Sequence, residues 1–149
     1  VDVDNENFLI PLGESEIKRV GQHVTVVAIG AMVRRAIEAA EAVYHEGIDA
    51  EIIDPRTLNP IDIETILGSL EKTKRLLIVH EAMSPCGIGA EIIAKVIEHN
   101  HKLLITPPAR LTPPFAPSPF APGLEDLYLP NQDSISETLR NMVPENERL

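Results

Sequence analysis

Val24-Thr25-Val26-Val27-Ala28-Ile29-Gly30 is a continuous apolar, largely β-branched run closed by a glycine, and a segment of different periodicity follows at once. Across residues 31–44 the apolar side chains return at Val33, Ala36, Ile37, Ala40, Val43 and Tyr44, while Arg34, Arg35, Glu38 and Glu41 occupy the opposite side. Side chains repeat every second residue along a strand and about every 3.6 residues along a helix, so this reads as a strand buried on both faces and then an amphipathic helix. Gly47 supplies the stop. A doubly buried strand that feeds a crossover helix belongs to a parallel sheet covered on both sides, which places the chain in the α/β class.

Toward the carboxyl terminus the unit repeats. Glu51-Ile52-Ile53-Asp54 is a second short strand, and Asn59-Pro60 opens a helix as N-cap and first-turn proline, with Ile63, Ile66, Leu67 and Leu70 facing the core. Residues 75–80 again have the buried-strand pattern, and Gly87-Ile88-Gly89 leads into a helix carrying Ile92, Ile93, Val96 and Ile97. One more short strand is expected between Leu103 and Leu111. Proline then makes residues 107–122 extended or turning coil. Ser134-Ile135-Ser136-Glu137 has capping-box spacing and starts a last helix with Ile135, Leu139, Met142 and Val143. Toward the amino terminus, Ile17 to Val20 reads as a strand joined to the first run by the turn Gly21-Gln22-His23, which makes an antiparallel hairpin. The expected architecture is a three-layer α/β/α sandwich on a mostly parallel sheet with one antiparallel strand. Residues 12–143 form the domain. Residues 1–11, acidic and then apolar, suit a linker from an upstream domain, 144–149 a polar tail, and a start at Val1 a processed or cloned fragment.

Composition narrows the partners. A net charge of −10 over 149 residues, with no cluster of Lys or Arg, repels nucleic acid and anionic membrane surfaces. Aromatics at 3% with no Trp leave little for base stacking, and the core must be aliphatic. No run is long and apolar enough to span a bilayer, and no basic-then-apolar leader opens the chain. The lone Cys86 excludes an internal disulfide and fits a reducing compartment, cytoplasm or mitochondrial matrix.

Several residues carry chemistry that could serve a site. His80-Glu81 lies past the carboxyl end of a central strand, where open α/β sheets place ligands. The imidazole could move protons there, yet capping of the strand by His80 and bonding of loop amides by Glu81 is the favoured reading. Gly87 and Gly89 at a helix start resemble a phosphate loop, but Ile92 stands where the third glycine of the dinucleotide fingerprint belongs, so close backbone packing is favoured. Cys86 before that helix reads as a buried structural thiol rather than an activated one. His99 and His101 lack a third metal ligand and suit a helix carboxyl end. Arg56, in the stiff loop Asp54-Pro55-Arg56-Thr57-Leu58-Asn59-Pro60, could bind an anion or a neighbouring domain; an ion pair with Asp54 is favoured.

Together these stretches resemble a known family. Asp54-Pro55-Arg56-Thr57-Leu58-Asn59-Pro60-Ile61-Asp62, Val79-His80-Glu81-Ala82, Gly87-Ile88-Gly89-Ala90-Glu91-Ile92, Arg110-Leu111-Thr112 and Pro119-Phe120-Ala121 follow one another as in the transketolase C-terminal domain, nearest to the beta subunit of the pyruvate or branched-chain 2-oxoacid dehydrogenase component. Gly30-Ala31-Met32-Val33 and Leu129-Pro130 fit the same order, so the resemblance runs from about Pro11 to Val143. It implies a five-stranded sheet with one antiparallel strand. It also implies a parent oxidoreductase that uses thiamine diphosphate and magnesium to decarboxylate a 2-oxo acid and pass the acyl group to a lipoyl arm. The Gly-Asp-Gly and Asn motif for diphosphate and metal is missing here, and the activating glutamate belongs to the preceding domain of such subunits. The domain is therefore expected to hold no catalytic, cofactor or metal residue and to act in assembly, with an alpha subunit and a second beta subunit as partners. Phe115 and Phe120, in the proline-rich stretch from Pro107 to Pro122, are the candidate anchors of such a contact, the alternative being that both rings fold back on the domain's own core. Ile105 stands where relatives carry an acid, and Pro113-Pro114-Phe115 replaces a more polar segment; both weaken docking to an acyltransferase core. A stand-alone small-ligand or nucleotide-binding module using the edge at His80, Gly87 and Gly89 is the competing reading.

Overall fold

The computed structural model describes residues 9–149, so most of the segment read as a linker lies outside the described residues. The five central positions Val24–Ala28 form β2, every one of them buried. Its one polar side chain, Thr25, is satisfied by hydroxyl contacts of 2.6 Å to both Ser69 and Thr73, as burial of a hydroxyl requires. Around β2 lie β3 (Ala50–Asp54) and β4 (Leu76–Val79), both parallel to it, and β5 (Ala109–Leu111) is parallel to β4. The sheet order is β1-β3-β2-β4-β5, with β1 (Glu16–Arg19) antiparallel to β3 at one edge.

The helices α1 (Met32–Tyr44), α2 (Ile63–Thr73), α3 (Ile88–Asn100) and α5 (Gln132–Met142) cover both faces. Val24, Val26 and Ala28 of β2 pack with α1 and α5, whereas Val27 faces α2 and α3 together with Ile53 and Ile78. The alternation of a pleated strand thus divides the aliphatic core into two layers. The three-layer sandwich, mostly parallel with one antiparallel strand, is the architecture expected from the sequence.

The antiparallel strand arises differently from the expected hairpin. β1 pairs with β3, not with β2. The cause is Gly21, where a Cβ would stand 2.3 Å from the Ala50 carbonyl carbon. Only a residue without a side chain lets the chain cross the start of β3 there, while the Gln22 and His23 amides donate to Asp49 O at 3.0 and 2.8 Å.

Two helix starts also shift. Asp62 caps α2, accepting from the Thr65 amide at 3.1 Å and the Ser15 amide at 2.9 Å, so the helix opens after Asn59-Pro60 rather than on it. Asn131 caps α5 in a reciprocal box with Ser134, three residues before the cap read from the sequence. A short helix that the pattern did not single out, α4 (Pro122–Tyr128), begins on the last proline of the coil, a position that needs no amide hydrogen. The polar tail folds back: Leu149 N donates to Gly47 O at 2.9 Å and Glu147 pairs with the buried Arg75 at 2.5 Å.

Candidate functional site

The strand order reverses direction between β2 and β4, since β3 lies to one side of β2 and β4 to the other. The carboxyl ends of these two strands are the usual ligand position of such sheets. Gly30, with φ at +64°, turns the chain after β2, and Glu81 Oε2 lies 3.6 Å from where a Gly30 Cβ would stand.

His80 follows β4. Its amide extends the ladder to Leu111 O at 3.4 Å, and its side chain turns inward to 2% exposure. Neither ring nitrogen has a hydrogen-bond partner among the described residues. Burial pushes the imidazole below its ordinary pKa; the Ala82 backbone opposes this and the Arg110 charge adds to it, so the ring is neutral near pH 7. Gly87 and Gly89 form the roof over the ring. A Cβ at Gly87 would stand 2.7 Å from His80 Cε1 and 2.6 Å from Met83 O, and one at Gly89 would stand 2.7 Å from His80 Nε2. The two glycines are thus occupied by an imidazole beneath the start of α3.

Cys86, expected to be buried, is exposed and has φ of +59°. It sits on the outer side of the loop that closes over His80, in which only Gly87 is buried. Arg56 also differs from its expected pairing. Its guanidinium pairs with Glu16 of β1, while Asp54 Oδ1 instead accepts from the Arg56 amide at 2.9 Å. The left-handed φ of +55° at Arg56 aims its side chain across the sheet edge toward β1. Lys18 and then Arg56 hold the Glu16 carboxyl below the usual range, partly opposed by desolvation. His99 lies in the last turn of α3 and His101 at its C-cap.

Past the end of β4 is an open groove of about 760 Å³, lined by Ala82, Met83 and Phe115 and walled by α4 through Tyr128. Its charged lining side chains are Glu81 and Glu125. Tyr128 fixes the wall by donating to Ala116 O at 2.7 Å. No residue of α4 is buried, and Leu124 and Leu127 lie open on it. Phe115 is 75% exposed and Phe120 fully so, which excludes folding of either ring onto the domain's own core. The structure brings Glu81 and Phe115 together in the groove; Phe120 lies outside its lining, and Arg56 belongs to the loop after β3, away from it. Met83, Tyr128, Leu124 and Leu127 were not singled out in the sequence, although Leu124, Leu127 and Tyr128 have the three- and four-residue spacing of one helical face.

The residues present do not fit thiamine diphosphate and magnesium. Carboxylates line the groove where a diphosphate would need cationic or amide donors. No group of three or more His, Cys, Asp or Glu among the described residues is placed to hold a metal ion. No helix among them is long and apolar enough to cross a membrane.

Comparison with known proteins gives consistent matches. The family model described as "Transketolase, C-terminal domain" matches residues 13–135. The beta subunit of acetoin:2,6-dichlorophenolindophenol oxidoreductase of Bacillus subtilis (strain 168) is 44% identical over 144 residues, covering 97% of this chain and 42% of that protein. The pyruvate dehydrogenase E1 component subunit beta of the same organism is 36% identical over 142 residues, 95% of this chain and 43% of the relative. The mitochondrial counterpart in Bos taurus is 41% identical over 135 residues, 90% and 38% respectively. A solved structure described as "Split gene transketolase, inactive beta4 tetramer" superposes with a TM-score of 0.77 at 23% identity, covering all of this chain and 47% of that one, and so shares the fold. The chain spans less than half the length of the relatives it matches.

Proposed function

Because the chain belongs to the family of transketolase C-terminal domains, we propose that it acts as the C-terminal assembly domain of an oxidoreductase beta subunit and performs no bond-making step itself. The parent reaction in this reading is thiamine-diphosphate-dependent oxidative decarboxylation of a 2-oxo acid, or the related cleavage of acetoin, with transfer of the acyl group to a lipoyl arm. An alpha subunit and a second beta subunit are the partners. The relatives named as acetoin oxidoreductase and pyruvate dehydrogenase beta subunits support the oxidoreductase parent.

The observation that carries the reading is the exposure of Phe115, Phe120, Leu124 and Leu127, four large apolar side chains open to solvent on a coil and a helix with no buried residue of its own. Large apolar side chains left open along one stretch of chain support the reading that this stretch is covered in the assembled protein. Aromatic rings on a proline-stiffened segment lose little conformational entropy on docking and tend to dominate interface energies. A ligand-module reading has less support, since Gly87 and Gly89 are taken up by His80. The test is a Phe115→Ser, Phe120→Ser double substitution, followed by sedimentation alone and with the alpha subunit. Lost association at an unchanged melting temperature is expected; unchanged association refutes these rings as the contact.

A further inference from the structure

At the amino-terminal end of the sheet, opposite the groove, β3 buries a charge. The Glu51 side chain has 0% exposure. Its Oε2 accepts from the Gly21 amide at 3.2 Å and from Lys72 Nζ, and its Oε1 has no partner among the described residues. Lys72, in the last turn of α2, is the cation paired with it, yet the Lys72 side chain itself is 44% exposed. The ammonium thus reaches inward from a stem that solvent can reach, and the two partners are unequal: one can leave the pair and the other cannot.

That asymmetry separates Lys72 from the other paired lysines. Lys18 and Lys95 meet the partly exposed carboxylates Glu16 and Glu91, where neutralising the lysine leaves an acid that water still solvates. Neutralising Lys72 leaves a carboxylate enclosed by protein with one amide donor, and an uncompensated buried charge is strongly destabilising.

We propose that Lys72 is an acylation-sensitive site, at which transfer of an acyl group from a thioester to Nζ loosens the contact between α2 and β3. The ammonium first releases a proton to water. The amine then attacks the thioester carbonyl carbon, the C–N bond forms as the C–S bond breaks, and the departing thiolate takes up the second nitrogen proton. One ammonium and one thioester give one amide, one thiol and one proton, with no oxidation or reduction. The product keeps the length of the lysine stem but has lost its charge. This inference does not rest on the assembly reading, because it concerns the opposite end of the sheet.

The experiment exposes the chain to acetyl-coenzyme A, maps occupancy at each lysine by peptide mass spectrometry, and compares melting temperatures with those of Lys72→Arg, Lys72→Gln and the double variant Lys72→Gln, Glu51→Gln. Acetylation at Lys72 with a fall of roughly 5–10 °C is expected, reproduced by Lys72→Gln and absent from Lys72→Arg. The double variant should regain most of the loss. If Lys72→Gln does not fold, recovery of folding in the double variant supports the proposal and its failure refutes it. A Lys72 left unmodified while Lys18 and Lys95 react, or a Lys72→Gln melt within about 1 °C of the parent, also overturns it.

Discussion

Gly89→Ala isolates the contact on which the loop after β4 depends. Gly89 is the second residue of α3 and is buried. An added Cβ would stand 2.7 Å from His80 Nε2, 3.0 Å from His80 Cδ2 and 3.3 Å from Ile78 Cγ2. Both neighbours are enclosed, Ile78 in the core between the sheet and α3 and His80 beneath the helix start, so neither can swing into solvent. Overpacking at such a site costs about 1–3 kcal/mol. Opposing it, alanine is favoured over glycine by up to about 1 kcal/mol inside a helix, and by less in the first turn. The steric cost wins, leaving a net loss of about 1–2 kcal/mol, or roughly 3–8 °C in melting temperature for a chain of this size. Gly68→Ala in α2 is the control, because nothing lies within 4 Å of its Cβ position; it should gain up to about 1 kcal/mol. Thermal and urea unfolding followed by circular dichroism measures both, and Gly89→Ala in a His80→Ala background should lose most of its penalty. A Gly89→Ala chain as stable as the parent, or stabilised like Gly68→Ala, would refute the reasoning.

Two further outcomes are expected. His80, held neutral by burial and so lowered in pKa in the folded chain, takes up its proton more readily when unfolded; its share of stability is complete above the unfolded value of about 6.5 and is lost as pH falls from there toward the folded value. Melting curves between pH 7.5 and 5 should therefore slope less in His80→Phe than in the parent, and equal slopes would remove the assignment. Arg56→Ala should cost less than about 1 kcal/mol because its partner Glu16 is partly exposed, whereas Arg56→Gly should recover part of that loss by relieving the left-handed backbone; a glycine variant less stable than the alanine one would show the strain argument to be mistaken.

How much of this could be read without coordinates depends on whether each feature is local. The buried strands β2, β3 and β4 and the core faces of α1 and α2 are local, because periodicity and β-branching are written in consecutive residues, and the structure keeps them except at Tyr44, which the end of α1 leaves exposed. The edge pairing is not local. Gly21 looks like a turn glycine in the sequence, and only the 2.3 Å approach to Ala50 shows that it is a crossing point, which moves β1 from β2 to the far side of β3. Helix caps fall between these cases: Asp62 and Asn131 are ordinary capping residues, but each competed with a neighbouring signal, Asn59-Pro60 in one case and Ser134 with Glu137 in the other. The site divides in the same way. His80 and Glu81 could be placed at the carboxyl edge because a strand end fixes them. The groove could not be foreseen, since it joins residues 81–83 to residues 115–129 through a proline coil whose path no periodicity records. Exposure of Phe115 and Phe120 has the same origin, for an aromatic ring has the same sequence signature whether the coil carries it inward or outward. A surface made by the exposed part of a coil and by a helix with no buried residue of its own therefore becomes legible only once the core is seen to close without them.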